Sequence, residues 1–323
     1  MNETLDQQIQ TLQEHAGVRL RPEVHSLEVT GPDHVRFLNG MLTADVNKLA
    51  VGEGSIAVKT SPKGRIEAVV RVRRAPSSLW LEAIDPVAAP LLQTLAKFVI
   101  MDDVTITPRP HDVLTVLGPR APVIISGALG HELDLAPNAF LALGDVVVIA
   151  DRTLGVPGFE LHVPEGLGPD WVHRVTSLGA TQVSSEATDA VRIFAGWPID
   201  GRDLDSDVFP MEVSALDQAI SYSKGCYVGQ EVVSRAKNLG HVNYRMVGLE
   251  ITDGPAVERS PIVLEDESSG QTELSKSVGE VRSVATIGPR TIALAFVHRK
   301  VLDGSRVRIG PAQASVVALP FDA

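Results

Sequence analysis

From about Tyr244 onward the chain is a series of short β-rich runs separated by glycine- and proline-containing turns. They are Met246–Ile251, Ile262–Leu264, Val278–Thr286, Thr291–Val297, Arg306–Ile309 and Ala314–Ala318. Short strands with frequent turns hide their apolar sides only by closing on one another, so this stretch is constrained to a small closed or sandwich-like β domain. The Ser- and Glu-rich stretch Asp266–Gln271 predicts an exposed loop between two of the runs. A domain boundary falls near residue 245.

Upstream, helical and strand periodicities alternate. Residues 1–16 read as a short polar helix, and Val24–Val29 as the first strand. Gly31-Pro32-Asp33 is a helix-start signal, and Val35, Leu38 and Leu42 at helical spacing predict a helix from Asp33 to about Asp45. Ile56–Thr60 and Arg65–Arg73 are strands joined by the turn Ser61-Pro62-Lys63-Gly64, and Leu79–Ala83 is a third. Val87, Leu91, Leu95 and Phe98 mark a second helix. A similar order then recurs. Val113–Leu117 and Val146–Ile149 are strands, and Trp171, Val175 and Leu178 define a helix closed by Gly179. The fold class is α+β: two layered α+β units, 1–110 and 111–244, followed by the β domain 245–323.

With 323 residues, 44% of them hydrophobic, the chain can bury a large core. Its net charge of −11 disfavours nucleic acid as a ligand, because nothing offsets it locally. The densest basic cluster, Arg71, Arg73 and Arg74, reads as the solvated side of a strand. One cysteine, Cys226, excludes an internal disulfide and an all-cysteine metal site, so no metal is expected. The polar N-terminus does not resemble a secretory signal, and no stretch approaches the ~18 apolar residues of a membrane span. The cytoplasm is the expected location.

Chemistry concentrates at Ser223-Lys224-Gly225-Cys226-Tyr227-Val228-Gly229-Gln230-Glu231. Two glycines flank the only thiol, either as turn residues or as a close approach of backbone to a ligand. Beyond Gly229 the pattern turns helical, with Val232, Val233, Ala236 and Leu239 apolar and Gly240 ending it. Cys226 therefore lies just before a helix N-terminus with Lys224 nearby, and both favour a thiolate. The alternative is a small buried hydrophobe. Glu231 and Arg235 are spaced as a surface ion pair.

Lys224–Glu231 resembles the signature octapeptide of YgfZ-type proteins, which are similar to the glycine-cleavage T-protein, an aminomethyltransferase. Further segments match in order. They are Gly31-Pro32-Asp33, Phe37-Leu38-Asn39-Gly40, Thr43-Ala44-Asp45-Val46, Lys63-Gly64-Arg65, Arg192-Ile193-Phe194-Ala195-Gly196, Phe209-Pro210-Met211-Glu212, Val278-Gly279-Glu280-Val281 and Ala293-Leu294-Ala295-Phe296-Val297. The resemblance implies three domains in a ring around a central cavity that binds tetrahydrofolate, the C-terminal one a small barrel. It also implies a role in iron–sulfur cluster assembly or repair, including clusters of tRNA-modifying enzymes, with iron–sulfur proteins or a cluster scaffold as partners. The cofactor-binding residues it implies are Lys224, Gly225, Tyr227, Gly229, Gln230, Glu231 and Arg235, with Cys226 and Glu67 as the reactive groups.

Two departures bear on turnover. T-proteins carry two aspartates after the glycine turn, and these positions hold Glu67 and Ala68. T-proteins also place a glutamate against the pterin where this chain has Phe194, which either packs in a core or stacks on a ring, with Trp197 three residues on. The resemblance therefore favours a folate-binding accessory protein without turnover of its own. A folate-dependent aminomethyltransferase using Glu67, a regulatory module switched by folate, and a tRNA-binding protein are the alternatives. The acidic charge and the missing P-loop argue against the last.

Overall fold

The computed structural model describes residues 3–239, 242–265 and 277–322. The predicted loop Asp266–Gln271 and the helix end at Gly240 lie outside the described residues.

Strand Ile66–Arg74 shows how the first layer is built. Ala68, Val70 and Val72 are buried on one face while Val69 and Arg71 lie on the other, and a register shift opposite Lys59 and Thr60 puts Ile66 in a cluster with Val69. The strand sits in a five-stranded sheet ordered Gly54–Thr60, Ile66–Arg74, Leu79–Ile84, Val24–Thr30, Thr105–Pro108, with antiparallel neighbours throughout. Helices His34–Met41 and Ala88–Phe98 cover its apolar face, contributing Phe37, Leu38, Leu91 and Leu95 to one core with Ala68, Val70 and Val72.

The second layer is a six-stranded sheet ordered Thr181–Gln182, Gly17–Leu20, Asp112–Leu117, Gly158–Val163, Val146–Asp151, Phe140–Leu143. Helices Ala121–Leu129 and Gly168–Ser177 pack on it through Ile124, Ile125, Val172 and Val175. The four-residue strand Gly17–Leu20 runs parallel to Thr181–Gln182 and antiparallel to Asp112–Leu117, so the chain's N-terminal segment is part of the second sheet. Four residues are too few to show alternation, and this strand has no signal in the sequence.

The two sheets meet face to face. Trp80 of the first meets Phe140 of the second with the rings tilted and their centroids 5.1 Å apart, and Glu160 of the second accepts from Arg71 of the first at 2.6 Å. Arg71 and Arg73 of strand Ile66–Arg74 are therefore held between the sheets and do not face solvent. Arg73 is 1% exposed and donates twice to Glu82, at 2.8 Å each. Alternation places Arg71 and Arg73 on the face away from the helices, but only the second sheet turns that face into an interior.

Each of the six C-terminal runs forms a strand, and they close into a barrel ordered Tyr244–Asp253, Arg290–His298, Gly279–Ile287, Pro261–Leu264, Arg306–Ile309, Ala312–Val317. Helix Ser185–Phe194 joins the barrel to the second layer. Its Arg192 donates to Asp203 at 2.7 Å and to Ser283 of the barrel at 2.8 Å.

Candidate functional site

A cavity of about 690 Å³ lies where the two layers, helix Ser185–Phe194 and the segment Trp197–Arg202 meet. Ile56, Val69 and Trp197 give it apolar walls; Arg71, Arg192 and Asp200 are among its polar groups. Its volume falls in the range of small-molecule sites.

The cavity's arginines are already matched. Arg71 holds Asp151 at 2.9 Å and Glu160 at 2.6 Å, Arg192 holds Asp189 at 2.6 Å, and Arg202 holds Asp189 at 2.6 Å and also pairs with Glu258. Arg19 and Arg21 both hold Glu23, at 2.6 and 3.0 Å. Asp200 is the exception. It is 5% exposed, and among the described residues its carboxyl has one hydrogen bond, from the Val69 backbone N–H to Oδ2 at 2.7 Å. Burial pushes its carboxyl up to about 7, against the pull of that N–H. In the sequence Asp200 looks like a turn residue before Gly201; only tertiary burial reveals it.

Beside this cavity, Glu82, Glu160 and His162 bring their ligand atoms within 4.8 Å of one another. The residue types suit a metal, but the surroundings do not. Burial alone would raise both carboxyls, yet Arg73 at Glu82, and Arg71 with Arg21 at Glu160, override it and keep both ionised. Burial pulls His162 down to about 3, so it is neutral at ordinary pH. The carboxylates already face guanidinium groups, and a metal ion would sit among those positive charges. The cluster is an ionic layer between the sheets.

The octapeptide lies elsewhere: no residue from Lys224 to Arg235 lines the cavity. Lys224 donates from Nζ to three carbonyls at the end of helix His34–Met41, those of Asn39 at 2.5 Å, Leu42 at 2.8 Å and Ala44 at 2.7 Å. Its ammonium caps that helix and is not held for a thiolate or a ligand carboxylate. This also ends the helix at Met41, short of the expected Asp45. Burial draws its pKa down to about 8, with Asp45 opposing.

Gly229 has φ +85° and packs on the Ser61–Gly64 turn, and Thr60 Oγ1 donates to Val228 O at 2.5 Å. Tyr227 is buried, and no partner meets its hydroxyl among the described residues. Gly225 is exposed, Gln230 begins the helix Gln230–Leu239, and Glu231 and Arg235 form a solvent-facing pair on it. Cys226 is exposed. Of the two sequence readings of the thiol, the accessible one agrees with this position.

Glu67 sits at the register shift between Ile66 and Ala68, outside the cavity lining. Its Oε2 accepts from Lys59 Nζ at 2.9 Å, and Lys59 is fully buried. Ala68 faces the apolar core. Phe194 stacks on Phe321 with centroids 6.2 Å apart and joins a cluster with Ile193, Ile292 and Leu294. The helix ends there, and Gly196, at φ +71°, turns the chain so that Trp197 reaches the cavity instead. The loop, the Ser61–Gly64 turn and the Lys59–Glu67 pair thus gather at one end of the first sheet. The cavity lies farther along the same strands.

Two α+β layers joined to a C-terminal six-stranded barrel define a T-protein fold. The aminomethyltransferase T of Bartonella henselae superposes with a TM-score of 0.87 at 20% identity, over 98% of this chain and 89% of its own. The GCVT N-terminal domain family matches residues 1–224, and the chain belongs to that family. Its relatives include both aminomethyltransferases and proteins named YgfZ. An aminomethyltransferase of Rubrobacter xylanophilus is 28% identical over 95% of this chain and 85% of its own. The tRNA-modifying protein YgfZ of Yersinia enterocolitica is 26% identical over 90% and 87%. That of Klebsiella pneumoniae is 32% identical over 66% and 64%.

Proposed function

We propose that this chain is a tetrahydrofolate-binding accessory protein for the assembly or repair of iron–sulfur clusters, including those of tRNA-modifying enzymes, and that it does not itself transfer one-carbon units. One observation carries the reading. The positions where transfer needs carboxylates hold a counterion to Lys59, an alanine in the core and a phenylalanine stacked on Phe321. A general base must reach its proton, and Glu67 is already committed. In this reading the two layers and the barrel form a ring, the cavity is its central opening, and the pterin enters against Ile56, Val69 and Trp197. Cys226 then works outside the folate site, as an exposed thiol presented to a cytoplasmic iron–sulfur protein or cluster scaffold. The relatives named YgfZ agree with this direction.

Calorimetric titration with tetrahydrofolate, paired with an aminomethyl-transfer assay, tests it. Binding without turnover is the expected result; folate-dependent turnover overturns it. Glu67 keeps a partly exposed carboxylate two residues from the cavity-lining Val69, which makes aminomethyl transfer the second reading. If that reading is right, Glu67→Gln abolishes turnover while leaving binding in place.

A further inference from the structure

Burying a carboxyl is costly unless something compensates it. Around the cavity that rule is obeyed almost everywhere. Glu23, Glu82, Asp151 and Asp189 each have an arginine in ion-pair contact, and Glu186 is exposed. Asp200 breaks it: a lining carboxyl, nineteen-twentieths buried, with one backbone N–H on Oδ2 and no donor to Oδ1 among the described residues. An uncompensated buried acid in a cleft is the mark of a functional group.

The segment that carries Asp200 is held firmly. Asp203 Oδ2 takes the Ile199 N–H at 2.9 Å, and Gly201 donates to Leu204 O at 2.9 Å. A Cβ on Gly201 would meet Pro86 at 2.6 Å, so the turn sits tightly against the first layer. The carboxyl is therefore positioned before any ligand arrives, which lowers the entropy cost of binding.

We propose that Asp200 orients the ligand in this cavity by accepting hydrogen bonds from a heterocyclic edge with a ring N–H beside an amino group. This rests on the tetrahydrofolate reading, in which that edge is the pyrimidinone N–H and 2-amino group of the pterin. A carboxylate offers about four lone-pair sites, and the Val69 N–H occupies one. Asp200 thereby supplies the acceptor that Phe194, stacked against the barrel, does not.

The test is anaerobic calorimetry of the full-length protein and its Asp200→Asn variant with tetrahydrofolate and with its analogue lacking the 2-amino group. The wild type is expected to prefer the amino compound by about tenfold or more, the usual scale of a hydrogen bond to a charged acceptor. Asp200→Asn is expected to lose tetrahydrofolate affinity by a similar factor and to lose the preference, while its melting temperature is unchanged or higher. A variant that binds as tightly as the wild type, or keeps the preference, overturns the role of Asp200 and leaves the folate reading standing. A wild type that binds neither compound overturns the folate reading and this role with it.

Discussion

Glu67 Oε2 lies 2.9 Å from the Nζ of Lys59, a side chain with no exposed surface. In the proposed reading the pair holds this carboxylate as a counterion to a buried lysine. Removing it strands a buried ammonium, whereas removing both partners does not. Glu67 is 36% exposed, so water screens part of the cost. Glu67→Ala is expected to cost about 1–2 kcal/mol in urea denaturation, and Lys59→Met with Glu67→Ala to recover most of it. Equal losses in the single and double variants would show that the pair is not coupled.

Lys224 closes the end of helix His34–Met41 through three carbonyls, so its deletion acts on stability. Lys224→Met, which keeps the stem, is expected to cost about 2–4 kcal/mol, since hydrogen bonds from a charged donor contribute about 1.5–3 each before non-additivity. Denaturation midpoints check this, and an unchanged midpoint would assign the lysine to ligand binding after all.

Gly229 supports the same corner. A Cβ there would approach Ser61 O at 2.4 Å and Thr60 Oγ1 at 2.7 Å, on a backbone with φ +85°. Gly229→Ala is expected to lower stability by more than ~2 kcal/mol, through clash and strain together. A melting curve like that of the wild type would show that the turn yields.

Cys226 is accessible without unfolding. A disulfide reagent should titrate one thiol per native chain. Cys226→Ala should keep its melting temperature within the error of an exposed substitution, about ±0.5 kcal/mol, while iron–sulfur enzyme activity falls in cells that depend on the protein. Full cellular activity in that variant would remove the thiol from the function.

Asp200 makes a prediction about pH. Its carboxyl titrates near 7 in the fold against 3.8 as an ordinary aspartate, so the native state binds the extra proton between those values. The favourable contribution of the protonated form is complete below about pH 4 and is lost as pH rises toward 7. Asp200→Asn should therefore raise stability at pH 8, by about 2 kcal/mol or more, and have little effect near pH 4. Measured unfolding free energies at the two pH values decide it; an equal effect at both would mean that the carboxyl is not perturbed.

Local signals were legible where period and turn chemistry suffice. All six barrel runs, the hairpin around Ser61–Gly64, and the helix start at Gly31-Pro32-Asp33 can be read from apolar spacing and glycine or proline placement. Strands Gly17–Leu20 and Phe140–Leu143 and the segment Trp197–Arg202 were not, because their conformation depends on distant partners. The octapeptide stood out as a motif, yet its roles did not: Lys224 reads as a charge beside a thiol and acts as a cap 180 residues from Ala44.

The amino-acid sequence by itself determined most of the element types, a C-terminal domain of short strands and, through its motifs, the family, since these follow from periodicity and from residues adjacent in the chain. Tertiary structure alone decided which charges are interior: Arg73 between two sheets, Lys59 beneath Glu67, and Asp200 without a cation. The reason is that burial and ion pairing depend on distances across elements, and a linear pattern reports which face a residue is on but not what covers that face.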